Sequence, residues 1–364
     1  MFLGERIRQA REIRGMTQEE LAEKLGRSKA LVAQMEAGFK LPTDEFIESV
    51  AEATAFPLTF FNEPPHTEFA MAEILLRAQR SVKRREMLST VRYAEHIYAI
   101  YSTLVSCLKS IPVNVPEVVG SPMEAAKQVR SVIKAPAQEP ILNLTHSLER
   151  MGVSFIVLPP VQGREAFCMW LRKDDREIPI IAATGGRENG DRYRLSVAHE
   201  LGHLVMHRSF LRKSNKEVEE EAWAFAAELL MPEIAMRREL IPPVTITTLA
   251  RLKPRWGVSI AALIRRAHDL NIITLRQYHY LSQQMTILGY RTREPQNLDV
   301  AAEKPRLMRK MAELVYGKTI DFNRFSADTK VLSQELRTIL KDYEGSDEND
   351  LQVKSNVVRF RARP

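Results

Sequence analysis

Between His199 and His207, nine positions hold three histidines and a glutamate: His199-Glu200-Leu201-Gly202-His203-Leu204-Val205-Met206-His207. Imidazole nitrogens bind zinc well, and positions 199 and 203 lie one helical turn apart on the same face, so two rings can meet one ion. Glu200 sits about 100° further round the helix. From there it cannot comfortably join them as a ligand. It can reach a water on the open side of the ion, act as general base, and later return the proton to a leaving amine. The plainer reading is a polar stripe, two histidines satisfied inside a core helix. A third protein ligand separates the two, because a hydrolytic zinc site uses three protein ligands and keeps the fourth position for water.

The acidic run KEVEEEAWAFAAELLMP (216–232) offers Glu217, Glu219, Glu220 and Glu221. At 100° per residue, Ala222, Trp223, Phe225, Ala226, Leu229 and Leu230 form one broad apolar face. Glu219 falls near that face, in line with Ala222 and Ala226, while Glu220 and Glu221 fall outside it. Glu219 is therefore the best third ligand and Glu221 the next. The alternative is that all four carboxylates are a solvated first turn, where they favour the helix dipole in any case. The expected set is one zinc ion on His199, His203 and Glu219, with Glu200 as catalytic base.

These groups need elements to hold them. Leu195, Ala198, Leu201 and Val205 give the 199–203 helix a core-facing side, and that helix begins near Asp191. Before it, VSFIVLPP (153–160), AFCMWLR (166–172) and IPIIAAT (178–184) read as three short strands. A Ser-capped helix starts at SPMEAAKQVRSVIK, and another runs from Pro140 to Met151-Gly152. The loop GGRENGDR follows the third strand.

The first sixty residues read as four short helices with clear punctuation. Gly15 ends the first. Thr17 caps the second, with Glu20 completing a capping box. Gly26 makes a tight turn, Ser28 caps the third helix, Gly38 stops it, and Thr43 caps the fourth. Two helices joined at Gly26 match a helix-turn-helix. Thr17-Gln18-Glu19-Glu20-Leu21-Ala22, Gly26-Arg27-Ser28 and Gln34-Met35-Glu36-Ala37-Gly38 resemble the XRE family of DNA-binding domains over residues 1–62. The resemblance implies that helix 28–36 enters the major groove of double-stranded operator DNA. Arg27, Ser28, Lys29, Ala30 and Gln34 would meet bases or nearby backbone, and Gln18 a phosphate at a helix N-terminus. Residues 1–60 carry eight Lys/Arg against ten Asp/Glu. Arg6, Arg8, Arg11, Arg14, Arg27 and Lys29 would therefore have to supply local positive charge on one side. The competing reading is a protein-interaction or dimerisation module.

A second resemblance rests on Arg194-Leu195-Ser196-Val197-Ala198-His199-Glu200-Leu201-Gly202-His203 with His207. It continues through Glu219-Glu220-Glu221-Ala222, Phe225-Ala226 and Leu229-Leu230-Met231-Pro232. Val258-Ser259-Ile260, Ala262-Leu263, Arg265-Arg266-Ala267 and Gly289-Tyr290-Arg291 before Glu294-Pro295 also fit. Together these look like the ImmA/IrrE metallopeptidase family from about 120 to 297. The resemblance implies a gluzincin-like zinc metalloendopeptidase and, as in some members, proteolysis of a partner repressor. Trp223 stands where that family usually has a small polar residue, often Asn. His207 recurs in the pattern but lies too far along the helix to share the ion, so it reads as a supporting or structural residue. Tyr193 and His207 are candidate oxyanion donors.

The expected architecture is α+β and mostly helical. An all-α helix-turn-helix domain spans 1–62 and a linker with a long helix 63–120. A zincin-like domain with a small sheet follows over 121–297, then a helical extension over 298–364. NEPPHTE (62–68) and IPVNVPEVVGSPM (111–123) read as proline-broken linkers. RAQRSVKRRE (77–86) is basic, either the solvated start of a scaffold helix or an extra DNA-backbone contact. Residues 244–285 read as three helices and 300–343 as two more. EGSDEND (344–350) is an acidic stretch, and a basic tail follows it.

The 364 residues are 27% charged and 45% hydrophobic, with a net charge of +7 and two cysteines, Cys107 and Cys168. This excludes a disulfide framework and fits a globular chain in a reducing cytoplasm. No apolar run approaches the roughly 18 residues of a membrane span, and the first residues lack the apolar core of a signal peptide. A homodimer is expected, since single helix-turn-helix units usually bind paired half-sites. The leading functional expectation is a DNA-binding regulator fused to a zinc peptidase that cuts a repressor-like protein. The alternative is a zinc-binding regulator or antitoxin-like protein that senses or binds a partner without cutting. A complete HExxH favours the enzyme, because a sensor has no use for Glu200.

Overall fold

The computed structural model describes residues 3–64, 69, 84–108, 112–159, 166–173, 176–184, 190–208 and 214–345. The basic run 77–83, most of the first linker, the loop 185–189 and the chain beyond 345, with its acidic stretch and basic tail, lie outside the described residues.

The chain is mostly helical with one small sheet. Helices α1 (Gly4–Ile13), α2 (Gln18–Leu25), α3 (Lys29–Glu36) and α4 (Asp44–Thr54) come first, and the last three start where their side-chain caps dictate. The Thr17 hydroxyl accepts from the Glu20 N–H while Glu20 accepts from the Thr17 N–H, and Ser28 and Thr43 each accept from the N–H three residues on. Gly26 takes the left-handed conformation, φ 61°, that the sharp α2–α3 turn requires. Ile7, Ala10, Leu21, Val32, Ile47 and Val50 pack with Phe60 and Phe61 into a core of their own.

Helix α5 (Arg84–Ser106) is long and follows the helix-turn-helix unit. Next come α6 (Pro122–Val132) and α7 (Leu144–Arg150), capped by Ser121 and Asn143. The strands are β1 (Ser154–Leu158), β2 (Ala166–Lys173) and β3 (Arg176–Thr184), in spatial order β1-β3-β2. β1 runs parallel and β2 antiparallel to β3, and Phe155 and Cys168 both register with Ile181. Helices α8 (Gly190–Met206), α9 (Asn215–Leu230), α10 (Glu233–Glu239), α11 (Ile246–Trp256), α12 (Ile260–Asp269) and α13 (Leu275–Ile287) follow.

Both faces of the sheet are covered. Phe155, Ala166, Cys168, Ile181 and Ala183 share a core with α8 and α9. Ile156, Leu158, Phe167, Met169, Ile180 and Ala182 share another with α5 and the C-terminal helices. Double burial is why the strands are apolar almost throughout instead of alternating.

Residues 300–343, expected to form two helices, form three: α14 (Leu307–Tyr316), α15 (Phe322–Thr329) and α16 (Ser333–Lys341). The unforeseen break is at Lys330, which takes the left-handed conformation usually marked by Gly or Asn. These helices complete the second face of the sheet through Met308, Met311, Phe325, Leu336 and Tyr343. Among the described residues no helix is long and apolar enough to cross a membrane.

Candidate metal centre

Helix α8 carries His199 and His203 one turn apart, both buried. Helix α9 crosses it closely, and Gly202 makes that approach feasible. A Cβ built at 202 would stand 3.0 Å from the Phe225 ring and 3.2 Å from the Ala222 Cα. The Trp170 indole N–H donates to the Leu204 carbonyl at 3.0 Å and ties the end of α8 to β2.

The crossing sorts the four carboxylates of α9. Glu217 closes a capping box with Ser214. Glu220 is exposed, 3.7 Å from Lys216. Glu221 accepts from His207 Nε2 at 2.9 Å. Glu219 reaches the histidines, with Oε2 3.3 Å from His199 Nε2 and Oε1 3.4 Å from His203 Nε2. The two Nε2 atoms are 3.1 Å apart. The imidazoles of His199 and His203 hold the Glu219 carboxyl far below the usual range against the opposing effect of partial burial.

This donor set fits a metal ion. Two imidazole nitrogens and the two oxygens of the Glu219 carboxylate converge, with N–N and N–O separations of 3.1 to 3.4 Å. Zinc–ligand bonds of about 2.0–2.1 Å in a tetrahedron require edges of roughly 3.3–3.4 Å. Among the described residues, His199, His203 and Glu219 are the group of such side chains that converges in this way. Glu200, half-buried on the neighbouring face of α8, makes no hydrogen bond or ion pair with a described residue.

Trp223 departs from its expected place, and the two candidate oxyanion donors have definite surroundings. Trp223, placed by helical periodicity on the buried face of α9, is 47% exposed. Its ring lies against His199 with centroids 4.1 Å apart, at the margin of a buried face that periodicity alone does not delimit. Tyr193 is one of the two candidate oxyanion donors. It is buried in the core two turns before the site, its hydroxyl beside Thr145, and burial pushes that hydroxyl well above its usual range. His207 is the other, and it sits against His203. Its Nδ1 lies 3.1 Å from His203 Nδ1, between His203 and Glu221. The contact of Glu221 with His207 escaped sequence reasoning, since a spacing of two puts Glu221 about 200° round the helix from Glu219.

The helix-turn-helix surface is also partly as expected. Arg27, Ser28, Lys29, Ala30 and Gln34 are all exposed at the start and outer face of α3. Gln18, expected to meet a phosphate, donates from Nε2 to Glu36 at 2.8 Å. Three of the six cations expected to supply positive charge are used internally. Arg11 forms a two-pronged pair with buried Glu36. Arg6 stacks over Phe60 and bonds the Glu63 carbonyl. Arg14 stacks over Phe56 and pairs with Glu335 of α16 at 3.1 Å through both nitrogens. Arg8, Arg27 and Lys29 remain exposed. The same unit is clasped to α5: Arg92 pairs with Glu12 at 2.9 Å, and Arg85 bonds Glu20 and the Gly15 carbonyl.

Residues 3–59 match the family model of a helix-turn-helix domain, and residues 172–268 match that of the IrrE N-terminal-like domain. No curated protein matches the chain. Among solved structures, the crystal structure of Bacillus thuringiensis PlcR in complex with the peptide PapR7 and DNA is similar at 9% identity, covering 79% of this chain and 96% of that one. Its TM-score of 0.16 is too low to bear on fold or function. The chain therefore joins a helix-turn-helix domain to an IrrE N-terminal-like domain that contains His199, Glu200, His203 and Glu219.

Proposed function

We propose that this chain is a DNA-binding transcriptional regulator whose second domain is a zinc-dependent endopeptidase acting on a partner regulatory protein of the repressor type. The observation that carries the reading is the donor triangle of His199, His203 and Glu219 with the uncommitted carboxylate of Glu200 beside it.

His199, His203 and Glu219 would hold one zinc ion. When bound, zinc supplies polarisation of the scissile carbonyl and acidification of water. Glu200 takes a proton from the attacking water as the C–O bond forms and the carbonyl π bond opens, then delivers it to the amide nitrogen, after which the C–N bond breaks and the carbonyl re-forms. Substrate is held extended by main-chain pairing at a sheet edge. Tyr343 closes the β1 edge: its hydroxyl accepts from the Val157 N–H and donates to the Phe155 carbonyl, both at 3.1 Å. The other outer strand, β2, is tied to α8 through Trp170. At the other end, α3 lies in the major groove with Ser28, Lys29, Ala30 and Gln34 towards the bases, Arg27 near the backbone and Gln18 at a phosphate. A homodimer would read two half-sites.

The test compares proteins retained by tagged wild type and Glu200→Gln in the native cell, by mass spectrometry. A protein held intact by the variant and shortened with wild type supports the peptidase and names its substrate. Identical protein profiles would overturn proteolysis and leave a metal-binding regulator that does not cut.

A further inference from the structure

His203, His207 and Glu221 form one hydrogen-bonded row with a readable direction. Glu221 Oε2 lies 2.9 Å from His207 Nε2, and His207 Nδ1 lies 3.1 Å from His203 Nδ1. An ionised carboxylate only accepts, so His207 Nε2 must carry the hydrogen. A neutral imidazole with a hydrogen on Nε2 presents a lone pair at Nδ1. With His207 neutral, His203 donates from Nδ1, which leaves the lone pair on His203 Nε2. That atom is the one 3.1 Å from His199 Nε2 and 3.4 Å from Glu219 Oε1. With the opposite polarity, His203 would carry its hydrogen on Nε2 and could not ligate anything there.

We infer that Glu221, acting through His207, is a positioning residue that sets the His203 tautomer so that its Nε2 lone pair faces His199 and Glu219. The consequence for zinc rests on the reading proposed above; for the tautomer, the His207–Glu221 row must outweigh the pull of the Glu219 carboxylate on His203 Nε2. The row also explains why both His207 and a second carboxylate stand beside the donor triangle. His207 is buried and follows the last turn of α8, where its N–H donates to the His203 carbonyl. Glu221 lies two residues beyond Glu219, so one helix supplies both a member of the triangle and the acceptor that orients another member. Outer partners of this kind fix ring orientation and raise ligand basicity.

The experiment uses the full chain with ¹⁵N-labelled histidines, stripped of metal, assigned with His203→Gln. Nitrogen chemical shifts report which ring nitrogen of His203 is protonated, and zinc affinity is measured separately by competition with a chromophoric chelator. Wild type is expected to show His203 protonated at Nδ1. Glu221→Leu is expected to move the hydrogen towards Nε2 and to weaken zinc binding about 10- to 100-fold. Glu221→Gln, whose amide oxygen still accepts, is expected to retain most of both properties. His203 protonated at Nε2 in wild type would overturn the inference, as would a folded Glu221→Leu chain with unchanged tautomer and affinity. Should Glu221→Leu fail to fold, the wild-type tautomer still decides. A wild-type chain that binds no zinc yet protonates His203 at Nδ1 would overturn the metal reading and support the relay.

Discussion

Gly202 of α8 faces Ala222 of α9 so closely that a methyl group at 202 would stand 3.2 Å from the Ala222 Cα. This contact sets how near Glu219 comes to His199 and His203, since all three are carried by the two crossing helices. Gly202→Val should therefore act on the site as well as on stability. We expect a loss of about 1–3 kcal/mol from overpacking, read by chemical denaturation, together with weaker zinc binding. Unchanged zinc affinity in a destabilised variant would show that the crossing does not control the triangle.

The two residues of the HExxH motif with opposite assignments should separate cleanly. His203→Ala is expected to lose metal and activity together. Glu200→Gln is expected to keep stoichiometric zinc by elemental analysis while the cleavage rate falls by about 10²–10⁴-fold, the usual contribution of a general base. Cleavage at the wild-type rate by Glu200→Gln would sink the base assignment.

Glu335 links the helix-turn-helix unit to α16 and makes that link pH-dependent. Burial alone would raise its carboxyl, but His96 and Arg14 overcome this and hold it at about 2, below the ordinary 4.5. A depressed folded pKa stabilises the fold fully above the unfolded value and loses that effect as pH falls from about 4.5 towards 2. Glu335→Gln should thus destabilise the chain by about 1–3 kcal/mol at pH 7. The gap to wild type should narrow between pH 4.5 and pH 3, followed by urea denaturation at each pH. A gap independent of pH would remove Glu335 as its source.

On the DNA-facing surface, charge and specificity should come apart. Lys29 is exposed beside Glu19, with 3.0 Å between charged atoms. Lys29→Ala is expected to weaken binding to an operator duplex and to flatten the dependence of log K on log salt by about 0.9, the slope for one phosphate contact. Gln34→Ala should leave that slope unchanged and relax base preference by about 1–3 kcal/mol at one position. Fluorescence anisotropy across salt concentrations measures both. An unchanged slope for Lys29→Ala would remove it from the phosphate contacts.

Much of this protein could be read from local patterns. The 3.6-residue repeat alone puts His199 and His203 on one face and Glu200 on the next, because helix geometry depends only on the backbone. Caps at Thr17, Ser28, Thr43 and Ser121 mark helix starts for the same reason: each side chain satisfies an N–H three residues away. The left-handed turn at Gly26 belongs with them. What depended on distant contacts was decided by the fold. Glu219 and Glu221 differ by 200° on an isolated helix, yet only the close α8–α9 crossing at Gly202 determines which meets the histidine pair and which meets His207. Periodicity placed Trp223 inside, but the fold leaves it half out, at the margin of the buried face against His199. Composition counted Arg6, Arg11 and Arg14 as available charge; Phe60, Glu36 and Glu335 consume them, the last from 321 positions further along the chain. The C-terminal helices look like an extension in sequence and are half of the core over the sheet in space, because the burial of an apolar face depends on what the folded chain brings against it.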